Sequence, residues 1–352
     1  MSEWKKTYLR DLIVIKNGKD HKKLKNGQYP VYGSGGIMRY ADSYLYDQES
    51  VLLPRKGTLN NIQFVTEPFW TVDTCYYTVV NRDKVLPYFL YCCLCKMDIQ
   101  SLNTGSAVPS MTFEKYYSIE VPIPPLSTQH RIASILSRYD SLIENYQKQI
   151  KLLEEAAQRL YKEWFIDLRF SGHENTNIID GVPEGWEKKS ITDVLEIKYG
   201  KDHKLLKEGT IPVYGTGGIM RYVEKSLFTG ESVLIPRKGS LNNIMLVGGT
   251  FWTIDTMFYS IPKENNVAKI VYFYLKGVDM YSFNIGAAVP SMTVNILSGM
   301  KLLVPNEDVK NKFETIASKY FIRMHSLQSQ LRLLTEARDR LLPKLMSGEI
   351  EI

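Results

Sequence analysis

The sequence has few of the side chains that build metal sites and no long hydrophobic run. Its 352 residues include four cysteines and five histidines. The longest apolar stretch, YFLYCCLC at residues 88–95, is far below the roughly 18 residues that a membrane helix needs. The opening segment MSEWKKTYLRDL lacks the apolar core of a signal peptide. We therefore expect a soluble protein of the cytoplasm.

What the sequence does contain is a repeat that covers nearly all of it. GKDHKKLKNGQYPVYGSGGIMRY at residues 18–40 returns as GKDHKLLKEGTIPVYGTGGIMRY at residues 200–222, with 18 of 23 positions identical. The chain thus consists of two versions of one unit of about 180 residues, which decides its architecture. Shorter segments repeat in the same order: SVLLPRKGTLNNI at 50–62 and SVLIPRKGSLNNI at 232–244, FWTVDT at 69–74 and FWTIDT at 251–256, and AVPSM at 107–111 and 288–292.

Familiar catalytic signatures are absent from both copies. The segments GSGGIMR and GTGGIMR lack the Gly-Lys-Ser/Thr ending of a P-loop and do not fit GxGxxG. There is no Gly-x-Ser-x-Gly elbow and no HExxH helix. An enzyme with two active sites would duplicate a nucleophile or an acid–base pair, whereas this chain duplicates basic and hydrogen-bonding residues. We predict that it carries no catalytic residue.

The cysteines do not indicate a metal site. A zinc site needs thiolate or imidazole ligands at set spacings, and the equivalent positions of the second copy are mostly apolar. We therefore predict no metal and buried thiols in a reducing compartment. The four cysteines and their equivalents are Cys75 and Met257, Cys92 and Phe273, Cys93 and Tyr274, and Cys95 and Lys276.

Each copy is predicted to begin with short strands and to end with one long helix. ESVLLP, IQFV and CYYTVV are rich in β-branched and aromatic residues and are bounded by Gly, Pro and Asn. From Ser127 onward, with Ser127 or Thr128 as the helix cap, apolar residues recur at alternating spacings of three and four. The seam positions are Ile132, Ile135, Tyr139, Leu142, Tyr146, Leu153, Ala156 and Leu160, and Phe313, Ile316, Tyr320, Leu327, Leu334, Ala337 and Leu341.

We expect the two long helices to pair with each other. Gln149 and Gln330 occupy equivalent seam positions, where a polar residue fixes register, and Arg323 replaces Leu142. About 40 residues at 1.5 Å each give a rod of ~60 Å. The alternative is that each helix packs on its own globular unit, but a strict seam over this length favours pairing.

The predicted fold class is α+β. Two globular mixed α/β domains are separated by two long antiparallel coiled-coil helices, with pseudo-two-fold symmetry. The polar segment at residues 171–186 is predicted to be a linker. The predicted boundaries are 1–125 for the first domain, 126–170 for the first helix, 171–305 for the linker and second domain, and 306–352 for the second helix.

The distribution of charge indicates a polyanionic partner. The net charge of +6 is only mildly basic, but lysines cluster just before each glycine-rich turn. Two matched basic patches suit a polyanion with two equivalent docking places, although solvated loops give the same pattern. The clusters are Lys19, Lys22, Lys23 and Lys25, and Lys201, Lys204 and Lys207.

Double-stranded DNA is the polyanion that the remaining duplicated residues favour. Arg55 and Lys56 precede a glycine, where backbone can approach a phosphate, and arginine can read guanine. Asparagine can read adenine, but for either Asn60 or Asn61 alone a turn-capping role is the simpler interpretation. Asp73 beside Trp70 is expected to hold a local hydrogen-bond network. The candidate DNA-binding residues are Lys19, His21, Lys22, Tyr32, Ser34, Gly36, Arg39, Arg55, Lys56, Asn60 and Asn61, with Lys201, His203, Lys204, Tyr214, Thr216, Gly218, Arg221, Arg237, Lys238, Asn242 and Asn243.

The ordered set of motifs resembles the specificity subunit of type I restriction-modification systems over essentially the whole chain. The motifs are VPEGWEKKSITDVLEI, YGSGG and YGTGG, PRKG, AVPSM, and PIPPLSTQHRIASIL leading into the long helix. The resemblance implies two target recognition domains, each reading half of a bipartite DNA site, and helices that set the spacer between the halves. It also implies two docked modification subunits that bind S-adenosylmethionine and methylate adenine, and ATP-driven restriction subunits. Cofactors (S-adenosylmethionine, ATP and Mg²⁺) are expected on those partners and none on this chain.

The near-identity of the two domains departs from the usual pattern of two dissimilar domains. Domains this alike should read the same half-site, and so the target should be an inverted repeat with a fixed gap. The pairs Lys23/Leu205, Asn26/Glu208 and Gln28/Thr210 are where the two preferences could diverge. Two other functions remain open: specificity for a combined restriction-methylation polypeptide, or an orphan sequence-specific DNA-binding protein.

Overall fold

A computed structural model describes residues 4–103, 105, 108–284 and 289–350, and the chain forms two compact units. Unit 1 comprises residues 1–147 and 329–352, and unit 2 comprises residues 148–328. Each unit therefore contains one copy of the repeat's globular part and a segment of both long helices. Two members of the AVPSM motifs, Ala107 and Ala288, lie outside the described residues.

Unit 1 is organised around an antiparallel sheet with strand order β2-β8-β5-β6. A smaller sheet has the order β4-β3-β7, in which β3 and β7 are parallel, and β1 pairs with β9. The strands are β1 (Lys5–Tyr8), β2 (Ile13–Asn17), β3 (Tyr29–Gly33), β4 (Gly36–Ala41), β5 (Ser50–Pro54), β6 (Gln63–Val65), β7 (Trp70–Thr71), β8 (Cys75–Val80) and β9 (Glu120–Ile123). The helices are α1 (Pro87–Cys95), α2 (Phe113–Tyr117) and α3 (Leu126–Tyr161), which reaches into unit 2 and continues as a π-helical turn at Lys162–Ile166.

Unit 2 repeats this plan with the strand orders β13-β20-β17-β18 and β15-β14-β19-β16. Two small pairs, β12 with β21 and β10 with β11, complete its sheets among the described residues. The strands are β10 (Ile178–Ile179), β11 (Val182–Pro183), β12 (Glu187–Ser190), β13 (Leu195–Tyr199), β14 (Glu208–Gly215), β15 (Gly218–Val223), β16 (Phe228–Thr229), β17 (Ser232–Pro236), β18 (Met245–Val247), β19 (Thr250–Thr253), β20 (Met257–Pro262) and β21 (Lys301–Val304). The helices are α4 (Ile191–Val194), α5 (Ala268–Lys276), α6 (Val294–Gly299) and α7 (Glu307–Ser347), which reaches into unit 1.

The three strands predicted in the first copy are confirmed as β5, β6 and β8. Every residue of β5 is buried: Val51 and Leu53 lie in the cluster that contains α1, and Leu52 lies in a second cluster with Val65, Phe69 and Cys75. The first long helix begins at Leu126, directly after Pro125. The predicted caps Ser127 and Thr128 are therefore wrong and lie in the first turn of α3.

Both long helices contribute to the core of each unit. In unit 1, Ile132 and Leu136 of α3 are buried together with Leu345 and Met346 of α7 and with the apolar face of α1. In unit 2, the end of α3 and the start of α7 pack in the same cluster as α5; their buried members include Ala157, Tyr161, Phe313 and Ala317. Helix pairing and packing on the globular part therefore occur together.

The two helices run antiparallel within each unit. The guanidinium of Arg338 lies 2.9 Å from the carboxylate of Asp140 in unit 1. In unit 2, Arg323 donates a hydrogen bond of 3.3 Å to the side-chain amide oxygen of Gln149. The predicted polar seam position at Gln149 is thus bonded to the residue that interrupts the seam of the other helix.

Three predicted seam positions are wrong. Leu142, Gln330 and Ala337 are exposed, and in each case the next residue along the chain is the half-buried one. An α-helix has 3.6 residues per turn, so a straight helix drifts by ~20° per heptad against a 3.5-residue pattern. The pattern departs from the predicted seam at these three positions only, since the neighbouring seam residues Tyr146 and Leu334 are half-buried. The half-buried residues that follow the three positions are Ile143, Leu331 and Arg338.

Two further expectations are corrected. The segment predicted as a linker forms the hairpin of β10 and β11, and its last residue, Trp186, is buried against Phe170 with ring centroids 4.8 Å apart. Three of the cysteines are buried as predicted, and burial raises the pKa of Cys75 to about 12. Cys95 is exposed because it lies at the last position of α1.

Candidate nucleic-acid interface

A lysine-bearing loop follows the first strand of each main sheet, and its backbone is held in the same way in both copies. Lys19 and Lys22 are exposed, as are their equivalents Lys201 and Lys204. The carboxylate of Asp20 accepts the backbone N–H of Lys22 at 3.0 Å, and this hydrogen bond lowers the pKa of Asp20. Asp202 binds the N–H of Lys204 identically, and its pKa is lowered for the same reason. The loops keep their ammonium groups in solvent while their backbone is fixed.

The histidines of these loops point toward the protein, whereas the lysines point into solvent. The residues His21 and His203 are half-buried, and the Nδ1 atom of each is buried without a hydrogen-bond partner among the described residues. Nδ1 is therefore turned toward the protein in both copies. This side of the ring is not available to a ligand in the conformation described.

A short hairpin follows each lysine loop. Strands β3 and β4, and β14 and β15, are joined by tight turns in which Gly36 has φ +116° and Gly218 has φ +114°. This left-handed backbone favours glycine, which accounts for the duplicated glycines as turn formers. Burial raises the pKa of Tyr32 to about 12 and also raises the pKa of Tyr214, so both hydroxyls stay neutral at physiological pH.

Arg39 and Arg221 connect the hairpin to the lysine loop. The guanidinium of Arg39 donates to the backbone carbonyl of Leu24 at 2.9 Å, and Arg221 donates to Leu206 at 2.8 Å. Because these guanidinium groups are used within the protein, they position the loop. Their remaining donors add positive charge next to it.

The Arg-Lys pair after β5 and β17 is partly fixed and partly exposed. Arg55 donates to the backbone carbonyl of Asp73 at 3.3 Å, and Arg237 donates to that of Asp255 at 3.1 Å. The local network expected of the two carboxylates stays a prediction. Lys56 and its equivalent Lys238 are exposed. The next residues, Gly57 and Gly239, have φ +90° and +84°, and their N–H groups donate to Pro109 and Pro290. Their amides are therefore already bonded, and the glycines serve the turn.

The asparagine pairs hold loops together. Asn60 donates to Asp98 at 3.1 Å and accepts the N–H of Gln100 at 2.7 Å, so both ends of its amide are bonded. Asn242 makes the same pair of bonds with Asp279 and Met280. Asn61 and Asn243 donate to the turn residues Ser34 and Thr216 at 2.8 and 2.6 Å. The geometry accords with the structural interpretation of each asparagine, and a role in DNA contact stays a prediction.

These bonds join the lysine loop, the hairpin and the Arg-Lys segment of each copy into one connected surface. The residues that sequence reasoning missed are the anchors Trp70 and Trp252, whose indole nitrogens bond the carbonyls of Lys19 and Lys201 at 2.9 Å. Their duplication at equivalent positions was the available signal. We call this surface the basic surface of each unit; it comprises residues 18–25, 30–41 and 54–61 in unit 1 and 200–207, 212–223 and 236–243 in unit 2.

The part of the chain that the structure describes contains neither a metal site of clustered side chains nor a membrane helix. No group of three or more His, Cys, Asp or Glu side chains is arranged to hold a metal ion there. Among the same residues, no helix is long and apolar enough to cross a membrane. The basic surface has the charge and the fixed backbone to bind a polyanion.

Comparisons with known proteins agree with the repeat. The sequence profile of the type I restriction modification DNA specificity domain matches residues 1–155 and 183–327. The chain is 25% identical over 352 residues to the specificity subunit of the type I restriction enzyme MjaIX of Methanocaldococcus jannaschii, which covers 88% of this chain and 79% of that protein. It is 21% identical to the HindI specificity subunit of Haemophilus influenzae, with 77% of this chain and 79% of that protein covered.

The fold also has a solved counterpart. The S subunit of a type I restriction-modification system from M. genitalium superposes with a TM-score of 0.73 at 19% identity, covering 98% of this chain and 96% of that one. The two profile matches fall on the two copies of the repeat and include the basic surface of each. The chain therefore belongs to the family of type I restriction-modification DNA specificity subunits, with its specificity domain present in two copies.

Proposed function

We propose that each unit reads one half of a bipartite DNA target. The chain, without a catalytic residue of its own, would give an adenine methyltransferase its DNA sequence specificity. The observation that carries this proposal is the matched basic surface, held by the same hydrogen bonds at equivalent residues of both units. Two copies of one surface suit two copies of one half-site.

The cations of the surface divide into two roles. Lys19, Lys22 and Lys56, with their equivalents in unit 2, contact phosphates, because their ammonium groups are solvated and mobile and carry no base-specific geometry. Arg55 and Arg237 have one nitrogen bonded to backbone and further donors available, which suits a fixed contact to a guanine edge. Phosphate contacts orient each unit, and base contacts select the sequence.

The two half-sites are proposed to be inverted copies of each other. The hydrogen bonds of the two surfaces match, and the long helices that carry both units run antiparallel where they pair. Two differences near the surface change its charge. Leu205, which is 98% exposed, stands where unit 1 has Lys23, and Glu208 stands where unit 1 has Asn26, which accepts a hydrogen bond from Arg39.

The helices are proposed to set the length of the unread spacer and to dock two modification subunits. S-adenosylmethionine would bind those subunits, and ATP and Mg²⁺ would serve restriction subunits in the larger assembly. The relatives named above are specificity subunits of type I restriction enzymes, which supports this organisation.

The test is base-resolution mapping of N6-methyladenine in cells that contain the modification subunit, with and without this chain. The proposal expects a gapped motif only when the chain is present. A motif that persists without the chain would contradict this role in sequence specificity. Methylation that follows no motif when the chain is present would also contradict it.

A further inference from the structure

Each hairpin of the basic surface carries an apolar pair that the protein leaves in solvent. Ile37 and Met38 are 49% and 57% exposed, and their equivalents Ile219 and Met220 are 50% and 56% exposed. Single exposed apolar residues are common on protein surfaces. Here two adjacent large ones are exposed to the same extent at the same positions of both units, and an exposed tyrosine follows two residues after each methionine.

A β-bulge presents this pair. Val31 is paired with Arg39, but the next residue, Tyr32, is paired with Ile37, so Met38 is an extra residue on β4. Unit 2 has the same shift, with Met220 as the extra residue on β15. Bulges redirect side chains and interrupt the regular ladder. Both strands also lie at the edge of their sheets, where a bulge discourages pairing with a strand of another protein.

The hairpin lies between the two cationic segments of the surface. Its outer strand is bonded to the lysine loop through Arg39 and Leu24, and its turn is bonded to the Arg-Lys segment through Ser34 and Asn61. An apolar tip flanked by cations complements a ligand that has apolar groups between two rows of negative charge. The major groove of DNA has this composition, since phosphates border it and the thymine 5-methyl group lies on its floor.

We propose that Ile37 with Met38, and Ile219 with Met220, are specificity-determining residues that take a thymine methyl group in each half-site. This inference rests on the proposed function. A two-stranded β-ribbon fits the width of the major groove. Insertion between base pairs is less suited to this tip, because the thioether of each methionine is folded back over Gly33 or Gly215 instead of projecting outward.

The test removes only the methyl group. In the mapped target, each thymine is replaced in turn by deoxyuridine, and binding by the chain assembled with its modification subunit is measured. Burial of one methyl-sized group corresponds to about a fourfold change in affinity. We expect a loss of this size at one or more positions in each half-site. The Ile37→Ser, Ile219→Ser variant should prefer thymine over deoxyuridine less than the wild type does, because half of each apolar pair is removed.

Matched controls separate the outcomes. Ile179→Ser changes a 68% exposed isoleucine on the hairpin of β10 and β11, and it should keep the preference for thymine. Wild-type protein that prefers the target over scrambled DNA but ignores every deoxyuridine would overturn the methyl contact and leave the proposed function standing. Failure to prefer the target at all would count against the proposed function itself. A serine variant that assembles with the modification subunit and keeps the full thymine preference would also overturn the inference.

Discussion

The indole nitrogen of Trp70 donates a hydrogen bond of 2.9 Å to the backbone carbonyl of Lys19. Trp252 makes a bond of the same length to Lys201 in the other unit. Each bond spans 51 residues and holds a loop whose lysine side chains are exposed to solvent. The lysine loops are therefore positioned by long-range bonds before any ligand binds.

Replacing both tryptophans by phenylalanine should weaken DNA binding more than folding. The rings keep most of their packing, but each loop loses a bond with a net value of about 0.5–1.5 kcal/mol. We expect affinity for the target to fall several-fold with a small change in melting temperature. Trp186→Phe is the control, because its buried Nε1 atom has no partner among the described residues. If the double variant binds DNA as tightly as the wild type, the loops do not contact it.

Removing the guanidinium groups of Arg55 and Arg237 by substitution with alanine should cost about 1–3 kcal/mol of binding free energy per lost contact. Titration of target DNA at fixed salt measures the loss, and the methylation level in cells gives a second measure. Arg159→Ala is a matched control on α3, where the arginine side chain is 82% exposed. Unchanged affinity and unchanged methylation in the double variant would exclude the assignment.

Shortening both helices by one heptad should shorten the spacer and leave the half-sites unchanged. Residues 142–148 and 327–333 lie between two bonded pairs of the helices, Asp140 with Arg338 and Gln149 with Arg323. Deleting both segments keeps these bonded pairs and the heptad phase. Mapped motifs before and after the deletion give the spacer length directly. The control is a chain shortened in α3 alone, in which the two helices no longer have matching lengths. An unchanged spacer in the double deletion would show that the helices do not set the spacer length.

Stability below neutral pH should depend on Glu264. Burial raises the pKa of this carboxyl. Hydrogen bonds from Lys189 and Lys310, at 2.6 and 2.8 Å, lower the pKa by more than burial raises it, so the net shift is downward. A carboxyl whose pKa is lowered by folding stabilises the protein above its unfolded pKa of about 4.3, and the contribution is lost as the pH falls through the folded value. Glu264→Gln should therefore cost about 1–2 kcal/mol at pH 7, because it leaves the buried Lys310 with one partner fewer.

Denaturant unfolding of both proteins from pH 7 to pH 3 measures this dependence. The difference between wild type and Glu264→Gln should shrink as the pH falls below 4. Glu187→Gln is the control, since Glu187 also pairs with Lys189 but is largely exposed. A difference that stays constant with pH would show that the effect comes from packing and not from charge.

The sequence was sufficient to predict the repeat, the three strands of the first copy and the two long helices, because each leaves a local pattern. It was not sufficient for the middle of the helix pair. Leu142, Gln330 and Ala337 fit a 3.5-residue seam, yet each is exposed and the next residue is half-buried. Which of two adjacent residues is buried depends on how far the helices supercoil, and a heptad pattern alone does not give that.

The basic surface could be predicted only in part. Its lysines and arginines can be read from the sequence, but the residues that hydrogen-bond to this surface and fix it are distant along the chain. Asn60 is bonded to Asp98, 38 residues away, and this bond decides that its amide holds a loop. The bulge at Met38 depends on the pairing of β3 with β4, so the apolar pair of the hairpin had no recognisable pattern in the sequence.

The central claim is that two like units read two like half-sites. The most direct measurement is the symmetry of the gapped motif obtained by mapping N6-methyladenine in cells with this chain and its modification subunit. The account predicts two halves that are reverse complements of each other across a fixed spacer. Two unrelated halves would contradict it, and would mean that the few differences between the surfaces, such as Leu205 in place of Lys23, redirect one unit.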